Sequence, residues 1–392
     1  MSSEFVRARF LFKEVTEKGF DLPLGSVTKD GGVEFRSDLN VAVWNPGEDV
    51  SNYKRVRPDD FVIGLRSFQS GIGRSSIEAL VSPAYTVLRP ISENIHPPFF
   101  RYLFKSSAYI SRLENVAQGI RQGRTISTED FYNIEVRRPS INEQKAIADF
   151  LDRETMLIDS LVERKSKLIE VLTERQAEFE RSVVAGVREG SHANRRMTGN
   201  SLIPNIPNNW KLIRARFLCS IDTGSSDTDE SEDVGMYPFF VRSQTPNLSN
   251  RYIFDTEAVL TAGDGAGVGK VFHHFEGKFD AHQRVYVMHN FKGITGRFFF
   301  YFFSSFFGIA ALDGSAKSTV DSVRRHMISE LPVVVPPLEE QVRLTRILDD
   351  SRKKMELTST LLRQQVIRLR DRREALISAA VTGELEIPEV AA

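Results

Sequence analysis

One segment of this chain occurs twice, and that repeat limits the possible folds more than any other feature. Pro139-Ser-Ile-Asn-Glu-Gln144 opens a long helical pattern that stops near Gly186, and Pro336-Pro-Leu-Glu-Glu-Gln341 opens another that stops near Gly383. The copies superpose without a gap at one offset (336 − 139 = 197; 383 − 186 = 197), matching at Leu151-Asp152/Leu348-Asp349, Leu172/Leu369 and Arg175/Arg372. A second correspondence marks the module starts. Val6-Arg-Ala-Arg-Phe-Leu11 returns as Ile213-Arg-Ala-Arg-Phe-Leu218, at an offset of 207 (213 − 6). The first globule is therefore ten residues longer than the second between the same landmarks (207 − 197). Two related modules follow, each a globule closed by the same helix, with length differences taken up in surface loops.

The helical copies carry their own start signals. Ser140-Ile-Asn-Glu143 is a capping box, while Pro336-Pro337 gives the second copy a pre-organised first turn. Leu151, Ile158, Leu172 and Phe179 recur at seven-residue intervals, as do Leu348, Met355, Leu362, Leu369 and Leu376. Such a seam predicts a coiled-coil contact. Lys165 interrupts it, with a stem long enough to carry its charge past the apolar edge. From Ile141 to Gly186 is 46 residues, or roughly 69 Å of helix at ~1.5 Å per residue. A small globule cannot cover a stripe of that length, so the natural partner is the twin helix. If both lie in one chain, the intervening globule returns the chain and the pair is antiparallel. The alternative is two independent helices, each packed on its own domain.

Within the globules, Phe61-Val-Ile63, Tyr85-Thr-Val-Leu88 and Arg284-Val-Tyr-Val-Met288 read as strands separated by Gly and Pro clusters. Phe99 to Leu113 and Gly296 to Leu312 read as helices. The fold class is α+β. The expected order is a first globule at 1–139, a central helix at 140–188, a linker at 189–209, a second globule at 210–335, a distal helix at 336–385 and a tail at 386–392. The linker reading rests on its Asn, Ser, Gly, Pro and Arg content.

Composition removes several classes. Fifty-two basic and 52 acidic side chains cancel, so any contact with a polyanion needs clustered basic groups rather than a global field. A single cysteine, Cys219, excludes a disulfide framework or a cysteine metal cluster and fits a reducing compartment. Arg7, Arg9 and Lys13 break up any signal-peptide pattern, and the apolar run Phe298 to Leu312 is too short to span a bilayer. The expectation is a soluble cytoplasmic protein without membrane contact.

No reaction centre emerges. Gly263-Asp-Gly-Ala-Gly-Val-Gly-Lys270 resembles a phosphate loop, but Asp264 stands at the first Gly position and Val271 at the Ser/Thr position. The dinucleotide spacing fails as well, leaving a glycine-rich turn between strands, with a shorter counterpart at Gly71-Ile-Gly-Arg74. His273, His274 and His282, with Glu276 and Asp280 nearby, form no recognised metal spacing, and there is no nucleophile elbow. No metal and no catalytic residue is expected.

Some polar stretches suit nucleic acid. In the first globule these are Arg66-Ser-Phe-Gln69 leading to Arg74, and Gln118 to Arg124 with Arg121, Gln122 and Arg124. In the second they are Arg242-Ser-Gln244, His282-Gln283-Arg284 and Lys317-Ser-Thr319. Arg and Gln can pair bidentately with guanine and adenine, while Lys and Ser position phosphates. The acidic run Asp227 to Asp233 is expected to face solvent or protein instead.

With these residues in view, the chain resembles a specificity subunit of a type I restriction–modification system. The carriers are Asn142-Glu-Gln-Lys-Ala-Ile-Ala-Asp-Phe-Leu-Asp152 with Glu154-Thr155 and Ile158-Asp159, Pro336 to Gln341, Ile206-Pro-Asn-Asn-Trp210, Ser82-Pro-Ala-Tyr-Thr-Val-Leu88 and Ala380-Val-Thr-Gly383. The ordered set covers essentially the whole chain. The resemblance implies that each globule reads half of a split sequence in double-stranded DNA. It implies that the paired helices set the gap and dock two methyltransferase (modification) subunits, and that restriction/translocase subunits join them. This chain would hold no cofactor; S-adenosylmethionine, ATP and Mg belong to partner subunits. The chain departs from common members in lacking a Trp where the first globule begins, with Phe5 opposite Trp210, and in its irregular exit Val187-Arg-Glu-Gly190. Two other classes compete: a coiled-coil adaptor whose globules bind protein, and an enzyme built on the glycine-rich loop.

Overall fold

The computed structural model describes residues 5–28, 32–39, 50–65, 70–116, 126–187, 194–227, 234–312 and 322–387. The chain divides into two units, and the division cuts both long helices. Unit 1 is Met1–Ser166 with Arg363–Ala392, and unit 2 is Lys167–Leu362.

In unit 1 the strands are β1 (Phe5–Arg7), β2 (Phe12–Val15), β3 (Gly25–Thr28), β4 (Gly32–Phe35), β5 (Lys54–Val56), β6 (Phe61–Ile63), β7 (Gly73–Arg74), β8 (Ala79–Val81), β9 (Thr86–Pro90) and β10 (Glu135–Arg137). Its globule helices are α1 (Pro97–Lys105), α2 (Ser107–Val116) and α3 (Thr128–Asn133), and the first long helix, α4 (Ile141–Val184), starts here. In unit 2 lie β11 (Arg195–Met197), β12 (Asn205–Pro207), β13 (Lys211–Arg214), β14 (Ser220–Thr223), β15 (Tyr237–Phe240), β16 (Asn247–Ser249), β17 (Phe254–Ala262), β18 (Phe272–Ala281), β19 (Val285–His289) and β20 (Pro332–Val335). Its helices are α5 (Gly296–Leu312) and α6 (Arg325–Ser329), and the second long helix, α7 (Leu338–Thr382), starts here.

The duplication is visible in the sheets. Unit 1 contains the order β2-β9-β6-β7, and unit 2 contains β14-β19-β17-β18 extended by β15 and β16. A two-stranded antiparallel pair at the base of each long helix, β1 with β10 and β13 with β20, is also repeated. Phe5 pairs with Arg137, and Leu212 pairs with Val334. This register makes Leu212, not Trp210, the counterpart of Phe5; the position opposite Trp210 (210 − 207) is residue 3, outside the described residues. Trp210 is buried and donates from Nε1 to Glu340 at 2.8 Å.

Two other expectations change. Phe99 to Leu113 is not one helix, because Ser106 adopts extended backbone between α1 and α2. Its hydroxyl donates to Leu103 O and accepts from Tyr109 N, capping both ends of the break. Α5, in contrast, spans the expected residues without interruption, and Phe298, Phe299, Phe302, Phe303 and Phe307 are all fully buried. A helix apolar on every side belongs in a core. The segment 189–209 is more than a linker: from Arg195 it forms the β11–β12 hairpin and buries Ile203 and Ile206 in the core of unit 2. Two apolar anchors outweigh the polar composition around them. The tail also contributes, since Ile387 is buried in unit 1.

Each unit joins a globule to the head of one long helix and the tail of the other. The core of unit 1 includes Ile147, Ala148 and Leu151 from α4 with Ile377, Ala380 and Val381 from α7. The core of unit 2 includes Leu344 and Leu348 from α7 with Val183 and Val184 from α4. The helices are therefore antiparallel within each unit, as the return of the chain requires. Lys165 Nζ donates to Gln365 Oε1 at 2.7 Å, and Arg373 pairs with Asp159 at 2.9 Å, both in unit 1. In unit 2, Ser351 donates to Gln176 at 2.9 Å and Arg352 holds Glu180.

Leu151, Ile158 and Leu348 of the expected seam are fully buried, whereas Leu172, Phe179, Met355, Leu362, Leu369 and Leu376 are half-buried. The alternate heptad positions fill the other side with Thr155, Val162, Ile169, Gln176 and Val183 on α4, and Arg352, Ser359, Val366, Arg373 and Ala380 on α7. Polar side chains at half of such positions fix register at a cost in stability. The central helix ends on Gly186 (φ +68), with Gly186 N bonded to Val183 O and Val187 N to Ser182 O. That is a Schellman stop, so Val187 closes the helix; residues 188–190 of the exit lie outside the described residues.

Two side chains of the repeat lock helix to globule. Gln144, fully buried, accepts from His96 N at 2.8 Å and donates to Asn94 O at 3.1 Å and Pro139 O at 2.9 Å. Gln341 repeats the arrangement with Thr295 N at 2.9 Å, Gly293 O at 3.1 Å and Pro336 O at 2.8 Å. About two turns further, Asp152 receives Tyr102 at 2.6 Å and Arg101, and Asp349 receives Tyr301 at 2.6 Å and Arg297. Replacing Gln341 with Leu strands one backbone N–H and two carbonyls in the interior. The expected loss is about 1–3 kcal/mol, read as a lower urea midpoint with faster hydrogen exchange at Thr295.

Candidate nucleic-acid interface

Three stretches of unit 2 that are distant in sequence meet at one carboxylate. Arg242 follows β15, Asp264 sits in the glycine-rich turn between β17 and β18, and Arg284 precedes β19. Arg242 Nη1 donates to Asp264 Oδ1 at 2.9 Å, and Arg284 Nη1 donates to Asp264 Oδ2 at 2.5 Å. Burial acts to raise the Asp264 pKa, but the hydrogen bonds from Arg284 and Arg242 hold it below the ordinary carboxylate value.

The glycines of the turn explain how backbones approach so closely. A Cβ on Gly267 would lie 2.5 Å from Arg242 O, and one on Gly263 would lie 2.8 Å from Arg284 O. Gly263 N bonds Arg284 O at 2.7 Å, and Val323 N bonds Gly263 O at 2.7 Å. The turn is thus wedged between the two arginine-bearing segments, as a glycine-rich turn between strands rather than a phosphate loop. Its counterpart in unit 1 joins β6 to β7, the strands equivalent to β17 and β18.

The remaining sequence candidates divide by location. Gln244 is exposed in the same segment as Arg242. Gln283 is held by Asp227 at 3.0 Å, and the Asp227 side chain is otherwise 62% exposed; residues 228–233 lie outside the described residues. Arg74 places Nε on Asp59 Oδ1 at 2.8 Å and Nη2 on the same oxygen, closing a turn in unit 1. Arg66 and Gln69 fall in the β6–β7 connection, and Arg121, Gln122, Arg124 and Lys317 in segments following α2 and α5; these six lie outside the described residues.

The histidines do not converge. His273 contacts Ser243 O, His274 contacts Glu257, and His282 Nδ1 accepts from Arg284 N. No group of three or more potential metal ligands occurs among the described residues. Burial pushes the Cys219 thiol up to about 12, leaving it protonated and unreactive near neutral pH. Among the described residues no helix is long and apolar enough to cross a membrane. Asp264 is the member of this cluster that sequence spacing passed over: it was visible only as a defect in a phosphate-loop pattern.

Comparison with known proteins gives the family. The chain is 31% identical over 180 residues to the EcoDI specificity subunit of a type I restriction enzyme from Escherichia coli. That stretch covers 46% of this chain and 39% of the relative's own length. The fold matches a chain in a solved structure of a type I R-M system, with TM-score 0.70 at 16% identity and coverage of 97% and 98% of the two chains. It also matches the HsdS subunit from Thermoanaerobacter tengcongensis, with TM-score 0.51 at 16% identity and 97% coverage of each. At that identity the likeness concerns the fold alone. The profile described as Type I restriction modification DNA specificity domain matches residues 54–171 and 207–366, more than half of the chain and part of each unit. The chain belongs to this family of type I restriction modification DNA specificity domains.

Proposed function

We propose that this chain is the sequence-specificity subunit of a type I restriction–modification complex. Each globule reads one half of a bipartite target in double-stranded DNA. The helix pair fixes the unspecified gap and docks two methyltransferase subunits, to which restriction/translocase subunits add. Chemistry resides in those partners, which bind S-adenosylmethionine, ATP and Mg, and the complex works in the cytoplasm. The observation that carries this reading is the repeated lock. Gln144 with Asp152, and Gln341 with Asp349, bind each globule rigidly to a long helix. A reading head needs that rigidity, because base-edge hydrogen bonds discriminate only when register and orientation are held. Half-sites on one face of B-DNA lie about 34 Å apart, within the roughly 66 Å of a 44-residue helix.

Selection from random duplex DNA, with the methyltransferase partner present, tests the reading. A two-part motif with a fixed gap is expected; no enriched sequence would support the protein-binding adaptor instead. Substituting Arg242 or Gln244 should relax only one half-site, and substituting Arg66 or Gln69 only the other. A uniform loss across both would assign these residues to phosphate contact or folding.

A further inference from the structure

Five arginines of the two units meet a carboxylate through the Nε–Nη2 edge. Arg55 does so on Glu78, Arg74 on Asp59, Arg89 on Asp60, Arg297 on Asp349 and Arg352 on Glu180. That edge is a planar two-donor fork, and a bidentate guanidinium contact is what reads O6 and N7 of guanine. In these residues the fork is already occupied. Arg242 and Arg284 reach Asp264 through Nη1 alone, and among the described residues no hydrogen bond engages their Nε–Nη2 edges. Their side chains are 41% and 59% exposed, against 36% or less for the others.

Arg214 and Arg216 share Glu330 in a similar way, but the setting differs. Glu330 is itself 43% exposed, against 22% for Asp264, and follows a five-residue helix. Asp264 instead stands on a turn whose backbone is bonded to Arg284 and Val323 and pressed against Arg242. A carboxylate near DNA repels phosphate, so placing one at this point weakens binding unless it does something else. Held ionised, it anchors two flexible side chains, which then lose less rotamer freedom on docking.

We propose that Asp264 is the positioning residue of a two-arginine reading head, setting the forks of Arg242 and Arg284 for two guanines in one half-site. This rests on the DNA-reading function proposed above. The experiment uses the full chain with its methyltransferase partner, and selected duplexes in which single guanines are replaced by 7-deazaguanine, which lacks the N7 acceptor. In the half-site that Arg242→Ala relaxes, the wild type should lose on the order of tenfold affinity at each of two positions, within the span one bidentate pair commands. Asp264→Asn should flatten that sensitivity while leaving the other half-site and the thermal midpoint unchanged, and Asp264→Glu should restore part of it. Wild-type binding indifferent to 7-deazaguanine throughout that half-site would overturn the proposal while leaving a recovered bipartite motif intact. An Asp264→Asn profile identical to wild type, or lost equally in both half-sites, would overturn it too. Failure to recover any motif would remove the DNA reading itself.

Discussion

Replacing Phe104 with Ala should destabilise unit 1 by about 3–5 kcal/mol, the range for emptying a large aromatic site in a packed interior. Phe104 is fully buried at the centre of a ring cluster. The rings of Phe12, Phe61, Phe100, Tyr109 and Phe131 lie at centroid distances of 5.4, 5.2, 5.6, 4.9 and 6.0 Å. Edge and tilted ring contacts add to the area term, and neighbours anchored on a sheet and three helices cannot collapse into the gap. Stabilities of whole domains are about 5–15 kcal/mol, so the variant approaches the unfolding threshold. Hydrogen exchange should accelerate across β2, β6 and β9, while β17 and β19, which belong to a different core, keep their protection. Equal acceleration in both sets would show that the two cores unfold as one.

Inserting one heptad into each long helix should widen the unspecified gap by about three base pairs. Seven residues add roughly 10.5 Å at ~1.5 Å per residue, and B-DNA rises ~3.4 Å per base pair. The insertion points are set by the division of the helices, after Ser166 in α4 and after Leu362 in α7. Placed there, the additions leave Lys165 with Gln365 and Arg373 with Asp159 in unit 1, and Ser351 with Gln176 and Arg352 with Glu180 in unit 2. A whole heptad keeps the seam facing inward, whereas four residues would rotate it away. Selection from random duplex DNA reads the result directly, and an unchanged gap would end the ruler role of the helices.

The repeat at offset 197 was legible because long helices announce themselves locally: caps, a heptad stripe and a closing glycine all follow from nearest neighbours along the chain. The same holds for α5, whose aromatic run has only one way to be buried. Legibility failed where a few contacts outvote composition. The stretch from Arg195 to Asn209 reads as a linker until Ile203 and Ile206 find the core, and a helix from Phe99 onward reads as continuous until Ser106 caps both sides of a break. The identical Arg-Ala-Arg-Phe-Leu runs are explained in part. Ala8, Ala215, Leu11 and Leu218 are buried, but Phe10 and Phe217 stay 64% and 63% exposed, with the Arg216 guanidinium over the Phe217 ring at 4.8 Å.

By itself the sequence determined that there are two modules, that each ends in a long helix, and one of the two heptad rows that face the seam. These are properties of periodicity, which a one-dimensional string records in full. Only the tertiary structure decided what the matched Gln and Asp of the repeat do, and that Arg242, Asp264 and Arg284 meet. Residues twenty or more positions apart are joined by strand pairing and by glycines that let backbones approach, and no local pattern encodes which turn will come to rest against which strand.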